Sequence, residues 1–192
     1  MKKQVPICVV VLVFWCCSCT EYTPKPRGYF RIEPASAHYQ KLPLDNLPYT
    51  FNVSQLSTVE LPQVDNKTAG WINLSYPSLG AKIYCSYFPV TPLSLHQIEN
   101  ESRELVSRQT KNPDFIQEKA YSNPEEHVYG SLFLLDEGSA SPIQFMLTDS
   151  VSNFFRGALY YDCKPNADSL APVTQYLRED IIELIQSFSW KK

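Results

Sequence analysis

The chain has 192 residues, a formal net charge of −3, 44% hydrophobic residues and 13% aromatic residues. That apolar share supports one packed domain and excludes a disordered tail as the whole. Seventeen basic residues stand against twenty acidic ones with no basic stripe, which excludes nucleic acid as a partner.

The N-terminus reads as an export signal. Lys2 and Lys3 precede an apolar run of eleven residues, VPICVVVLVFW, at 5–15. A helix of that length spans about 16 Å, well short of the ~30 Å hydrocarbon core, so a secretory signal fits and a permanent span does not. The run ends in Cys16, Cys17, Ser18 and Cys19. A bacterial lipoprotein signal ends before a cysteine that becomes the first mature residue and carries lipid. Ser18 supplies the small residue wanted just before Cys19, so Cys19 is the expected lipidation site. Cys17, Cys16, an ordinary cleavage site and a metal cluster are the alternatives. C-C-x-C lacks the spacing of a zinc knuckle, and no metal is expected. Two or more acyl chains would anchor the chain stably to a membrane. Removal of residues 1–18 leaves 15 basic residues against 20 acidic ones, or −5.

Residues 19–50 are expected to form a lipidated N-terminus and extended tether, and residues 51–192 a globular domain. Prolines 24, 26, 34, 43 and 48 argue against helix and for an extended, polyproline-like spacer. Tyr22, Tyr29, Phe30, Ile32 and Tyr39 need cover, so residues 28–32, GYFRI, are expected to lie against the domain. Lys25, Arg27 and Arg31 sit among these aromatics. Three readings stand for the set Tyr22, Lys25, Arg27, Tyr29, Phe30 and Arg31: a solvated linker, a protein-partner contact, or contact with anionic headgroups.

Segment 51–70 suggests a strand and a loop. Residues 71–75 alternate over a short strand, and residues 82–88 alternate more clearly. A helix follows over about 94–109, with Ser94 and Gln97 as a capping box and Glu99–Arg103 and Glu104–Arg108 as i,i+4 pairs. Strands are expected at 115–121, 127–135, 142–149 and 154–162, joined by turns. The stretch APVTQYLREDIIELIQSFSW reads as a second helix with Val173, Leu177, Ile181, Leu184 and Phe188 on its apolar side. The expected fold class is α+β: a single antiparallel sheet packed by two main helices.

Cys85 and Cys163 admit two readings, a structural disulfide or two separate buried thiols. No catalytic, phosphate-binding or metal-binding motif stands out, so no cofactor and no enzymatic activity are expected. His127, with Glu126 and Asp149, would be the nearest approach to a hydrolytic site. Twelve tyrosines and ten phenylalanines divide between an unusually large core and a docking surface.

Three stretches carry a family resemblance: CTEYTPKPRGYFRIEPASAHYQ from Cys19, AKIYCSYFP at 81–89 and FFRGALYY at 154–161. As a set they resemble the gliding-motility lipoprotein GldD family of Bacteroidota. The resemblance implies a membrane-anchored, non-enzymatic accessory lipoprotein of the cell envelope. It implies support of gliding and type IX secretion, with other gliding or secretion envelope proteins as partners. It supplies no catalytic residue and does not fix the membrane or leaflet. An envelope lipoprotein that binds a small ligand or glycan on an aromatic surface is the alternative, and an envelope hydrolase a more distant one.

Overall fold

The computed structural model describes residues 38–62, 69–136, 139–162 and 167–191. In chain order its strands and helices are β1 (Tyr39–Lys41), β2 (Tyr49–Thr50), β3 (Asn52–Ser54), β4 (Thr58–Glu60), β5 (Ile72–Tyr76), β6 (Ala81–Pro89), α1 (Pro92–Arg108), β7 (Gln117–Asn123), β8 (Val128–Leu134), β9 (Ile143–Thr148), β10 (Asn153–Tyr161), α2 (Ala167–Gln186) and β11 (Ser189–Trp190).

The main sheet has seven strands in the order β4-β5-β6-β10-β9-β8-β7, each antiparallel to its neighbours. The chain builds a meander from β4 to β6 and crosses through α1 to the far edge at β7. It then returns strand by strand until β10 pairs with β6 over nine residues. Side chains alternate across a strand, so each strand feeds two faces. One face carries Ile83, Cys85, Leu132, Phe145, Leu147, Phe155 and Leu159, packed with the apolar side of α2. The other carries Phe133, Met146 and Phe154, packed with Leu95 and Val106 of α1.

Double coverage explains the aromatic content. Adjacent Phe154 and Phe155 point to opposite faces, yet both are fully buried. Each such ring contributes roughly 1.5–3 kcal/mol of burial free energy. All six residues of β9 are buried for the same reason. Gly157 makes room for one ring: a Cβ there would lie 2.2 Å from Cζ of Phe145.

The expectation of a single sheet is overturned. Two further antiparallel sheets exist, β1-β3 and β11-β2, so two main helices pack with three separate sheets. The cause lies in residues 49–53, where Tyr49, Phe51 and Val53 alternate inward and are buried. They drop into the core beside α2, and their backbone lies over the end of that helix instead of extending the main sheet. There the Asn52 N–H donates to Ser187 Oγ at 2.8 Å, and the Lys191 N–H to the Pro48 carbonyl at 2.8 Å. The second helix accordingly stops at Gln186, and Ser189 and Trp190 pair with Thr50 and Tyr49.

The first helix also begins earlier than its periodicity suggested. Thr91 is its N-cap and shares a reciprocal capping box with Ser94, followed by Pro92 at the first turn. Proline is well suited there because its missing N–H would have had no helical partner. Glu104 and Arg108 pair as expected at 2.5 Å. Arg103 instead reaches Glu118 of β7 with two bonds of 2.8 Å, which fastens the helix to the edge strand.

Candidate functional site

Cys19, Tyr22, Lys25, Arg27, Tyr29, Phe30 and Arg31 lie outside the described residues, as does the expected docking of residues 28–32. Cys163 lies outside them too. Cys85 sits in the middle of β6 opposite Gly157 and is buried. Burial pushes its thiol well up, away from the thiolate that nucleophilic or metal chemistry needs.

The first described strands are held in place by distant residues. The His38 carbonyl accepts from the Gln55 N–H at 2.8 Å. The Tyr39 hydroxyl donates to Oδ1 of Asp180 at 2.8 Å. Asn52 Nδ2 donates to Glu183 Oε1 at 2.9 Å, and Lys191 Nζ donates to the carbonyls of Leu44 and Asp45 at 3.1 Å each. Strands β1 to β3 are thus held against the last helix and its exit.

Asp180 is the chemically unusual member. It lies on the apolar side of α2 and is only 4% exposed. Burial raises its pKa above the ordinary carboxylate value, while the hydroxyls of Tyr39, Tyr76 and Ser54 oppose part of that rise. Its Oδ2 has no partner of good geometry among the described residues.

The residues of the hydrolytic reading serve turns. His127 occupies the β7–β8 turn at a φ of 52°, and its carbonyl accepts from Trp190 Nε1 at 3.2 Å. Asp149 organises the β9–β10 turn. Its Oδ1 accepts the N–H groups of Val151, Ser152 and Asn153 at 2.8–2.9 Å, and its Oδ2 accepts from Asn153 Nδ2 at 2.7 Å. Partial burial alone would raise the Asp149 pKa, but these bonds hold it down at about 2. None of them joins Asp149 to His127 or Glu126. Among the described residues, no group of three or more His, Cys, Asp or Glu side chains gathers as a metal site.

Cavities among the described residues flank the sheet. One of about 590 Å³ lies between Phe115, the ends of β8 and β9, and Leu170, Thr174 and Arg178 of α2. One of about 220 Å³ lies between α1 and the sheet, with Arg156, Gln144 and Ser102 in its lining. At the mouth of the smaller one, Tyr84 meets Tyr160 edge to face, with ring centroids 5.7 Å apart. Tyr84 is 45% exposed. Arg156 and Gln144 carried no motif in the sequence. Their signal was polarity on strands that are apolar on both faces.

A seven-stranded antiparallel sheet covered by a helix on each face, with two small antiparallel sheets beside the second helix, defines an α+β domain. Residues 19–190 match the protein-family model described as gliding motility lipoprotein GldD. The chain belongs to that family, and with it to the gliding-motility lipoproteins of the bacterial cell envelope. No match is found among curated proteins.

Proposed function

We propose that the protein is lipidated at Cys19 and held at a membrane of the cell envelope. There it acts without catalysis as an accessory of gliding and of type IX secretion, by binding partner envelope proteins. The carrying observation is the family match, which opens on Cys19 directly after the apolar run and Ser18. No described helix is long and apolar enough to cross a membrane. The bonds of Tyr39, Asn52 and Lys191, which hold the first described strands to the last helix and its exit, support a mechanical reading. The basic-aromatic segment from Tyr22 to Arg31 lies in sequence between the anchor and these strands and is the proposed partner contact.

The test is the intact mass and membrane partitioning of the protein made with its own signal, beside Cys19→Ser. A diacylglyceryl-modified species starting at Cys19, lost from the membrane fraction in the variant, supports the anchor. An unmodified chain that partitions alike in both forms overturns it. For the partner contact, changing Lys25, Arg27 and Arg31 together to serine should leave anchoring intact and abolish gliding. Normal gliding in that variant removes this segment from the proposal.

A further inference from the structure

The α1 face of the sheet contains a hollow whose chemistry the gliding assignment does not use. The register builds its floor as two rows. One runs Tyr84, Ala158, Gln144, Phe133, and the next runs Ser86, Arg156, Met146, Ser131. Ala158 and Ser86 are small residues between large neighbours, so the floor dips there. Ser102, Leu105 and Val106 of α1 form the roof, and the volume of the hollow is about 220 Å³.

Three hydrogen-bonding groups in this lining lack partners. Ser102 is 5% exposed and Gln144 8% exposed, and neither Ser102 Oγ nor Gln144 Nε2 has a hydrogen-bond partner among the described residues. Buried polar groups are nearly always paired, since an unpaired one costs about 1–3 kcal/mol. The third is the half-buried Arg156 guanidinium. It lies over the Phe88 ring, 5.6 Å from its centroid, and joins no ion pair among the described residues. The Glu101 charge is felt at Arg156, but the two form no salt bridge. Arg156 and Gln144 are diagonal neighbours on adjacent strands, about 7–8 Å apart at the backbone, which lets their side chains converge.

We propose that this hollow binds a small carboxylate with an apolar body, whose carboxylate accepts from Arg156, Gln144 and Ser102. The unpaired groups include a charged guanidinium and an amide that can only donate through Nε2, so the complementary ligand is an acceptor with negative charge. One guanidinium compensates at most one charge, which favours a carboxylate over a phosphate dianion. Leu105, Phe133 and Met146 supply an apolar wall for the rest of the molecule. The volume equals roughly seven water molecules at ~30 Å³ each, enough for a small acid and too little for a glycan or a peptide. The proposal stands independently of the lipid anchor and of the partner.

The test is an NMR titration of the full chain at constant ionic strength, with benzoate as the carboxylate probe and inorganic phosphate as the contrast. The side-chain amide of Gln144 and Nε of Arg156 should shift saturably with benzoate and not with phosphate. Arg156→Gln should weaken benzoate binding about tenfold or more. Ala158→Leu fills the dip without adding a polar group, and should keep the fold and abolish the shifts. No saturable shift with benzoate overturns the proposal, as does an unchanged titration in Ala158→Leu. Saturation by phosphate alone overturns the carboxylate assignment.

Discussion

The hydroxyl of Tyr39 donates to the buried carboxyl of Asp180 at 2.8 Å, joining the first strand to the last helix across 141 positions of chain. Because burial raises the folded-state pKa of Asp180, the folded protein holds this proton more tightly than the unfolded chain. The stability tied to that proton is complete below the ordinary aspartate value of about 3.9 and is lost as pH rises through the raised value. Asp180→Asn keeps an acceptor for Tyr39 and removes the titration. Urea midpoints between pH 4 and pH 8 should therefore fall less for Asp180→Asn than for the wild type. Tyr39→Phe should cost about 1–2 kcal/mol by removing the donor to Asp180 Oδ1.

Asp149 predicts the opposite slope. Its pKa is held at about 2, so its contribution is complete above the ordinary aspartate value and is lost as pH falls from about 4 to about 2. Asp149→Ala should destabilise by about 1–2 kcal/mol at pH 7, because three backbone N–H groups in an otherwise short turn lose their acceptor. The difference from wild type should shrink toward pH 2, read by chemical denaturation in acid.

Gly157→Ala tests the packing of the main sheet. The new methyl would meet the Phe145 ring at 2.2 Å, and that ring also lies 6.1 Å from Phe155. Overpacking of this kind costs about 1–3 kcal/mol. A companion change of Phe145 to leucine should recover part of the loss, because it withdraws the atoms that collide. A fully additive pair in a double-mutant cycle would show that the ring is not the obstacle.

Trp190→Ala tests closure of the C-terminus. Trp190 packs edge to face on Phe188 at 4.7 Å, donates to the His127 carbonyl and pairs with Tyr49. Its removal should cost about 2–4 kcal/mol, at or below the range for large-to-small core changes because Trp190 is only half-buried. The loss should appear in the thermal midpoint without a change in the main-sheet circular dichroism of the folded state.

The central strands and α2 were legible because their periods are long enough to read. Ile83, Cys85 and Tyr87 share one face of β6, and Val173, Leu177, Ile181 and Leu184 mark one side of α2 as the pattern says. The small sheets were harder to read. Tyr49, Phe51 and Val53 alternate, but only for a few residues between prolines and a turn, and a three-residue strand depends on its partner more than on its own pattern. β11 was hidden because Phe188 continues the spacing of α2 beyond the point where the helix ends. Ser94 reads as the cap from spacing alone, whereas Thr91 caps the helix and Pro92 marks its first turn. Asp180 left a readable trace, an acid among Leu177, Ile181 and Leu184. The hollow over Ala158 left none, because it arises from cross-strand neighbours that only the register brings together.

The pairing of β11 with β2 also sets an order of events. Phe188 lies within 6 Å of the rings of Tyr49, Phe51 and Phe155, so the middle of the core is filled by a residue near the C-terminus. Contacts over such sequence separations form slowly, since the intervening chain must first be closed into a loop. During synthesis from the N-terminus, no earlier length of this chain can complete that core. The core of this domain therefore closes only when its last strand arrives.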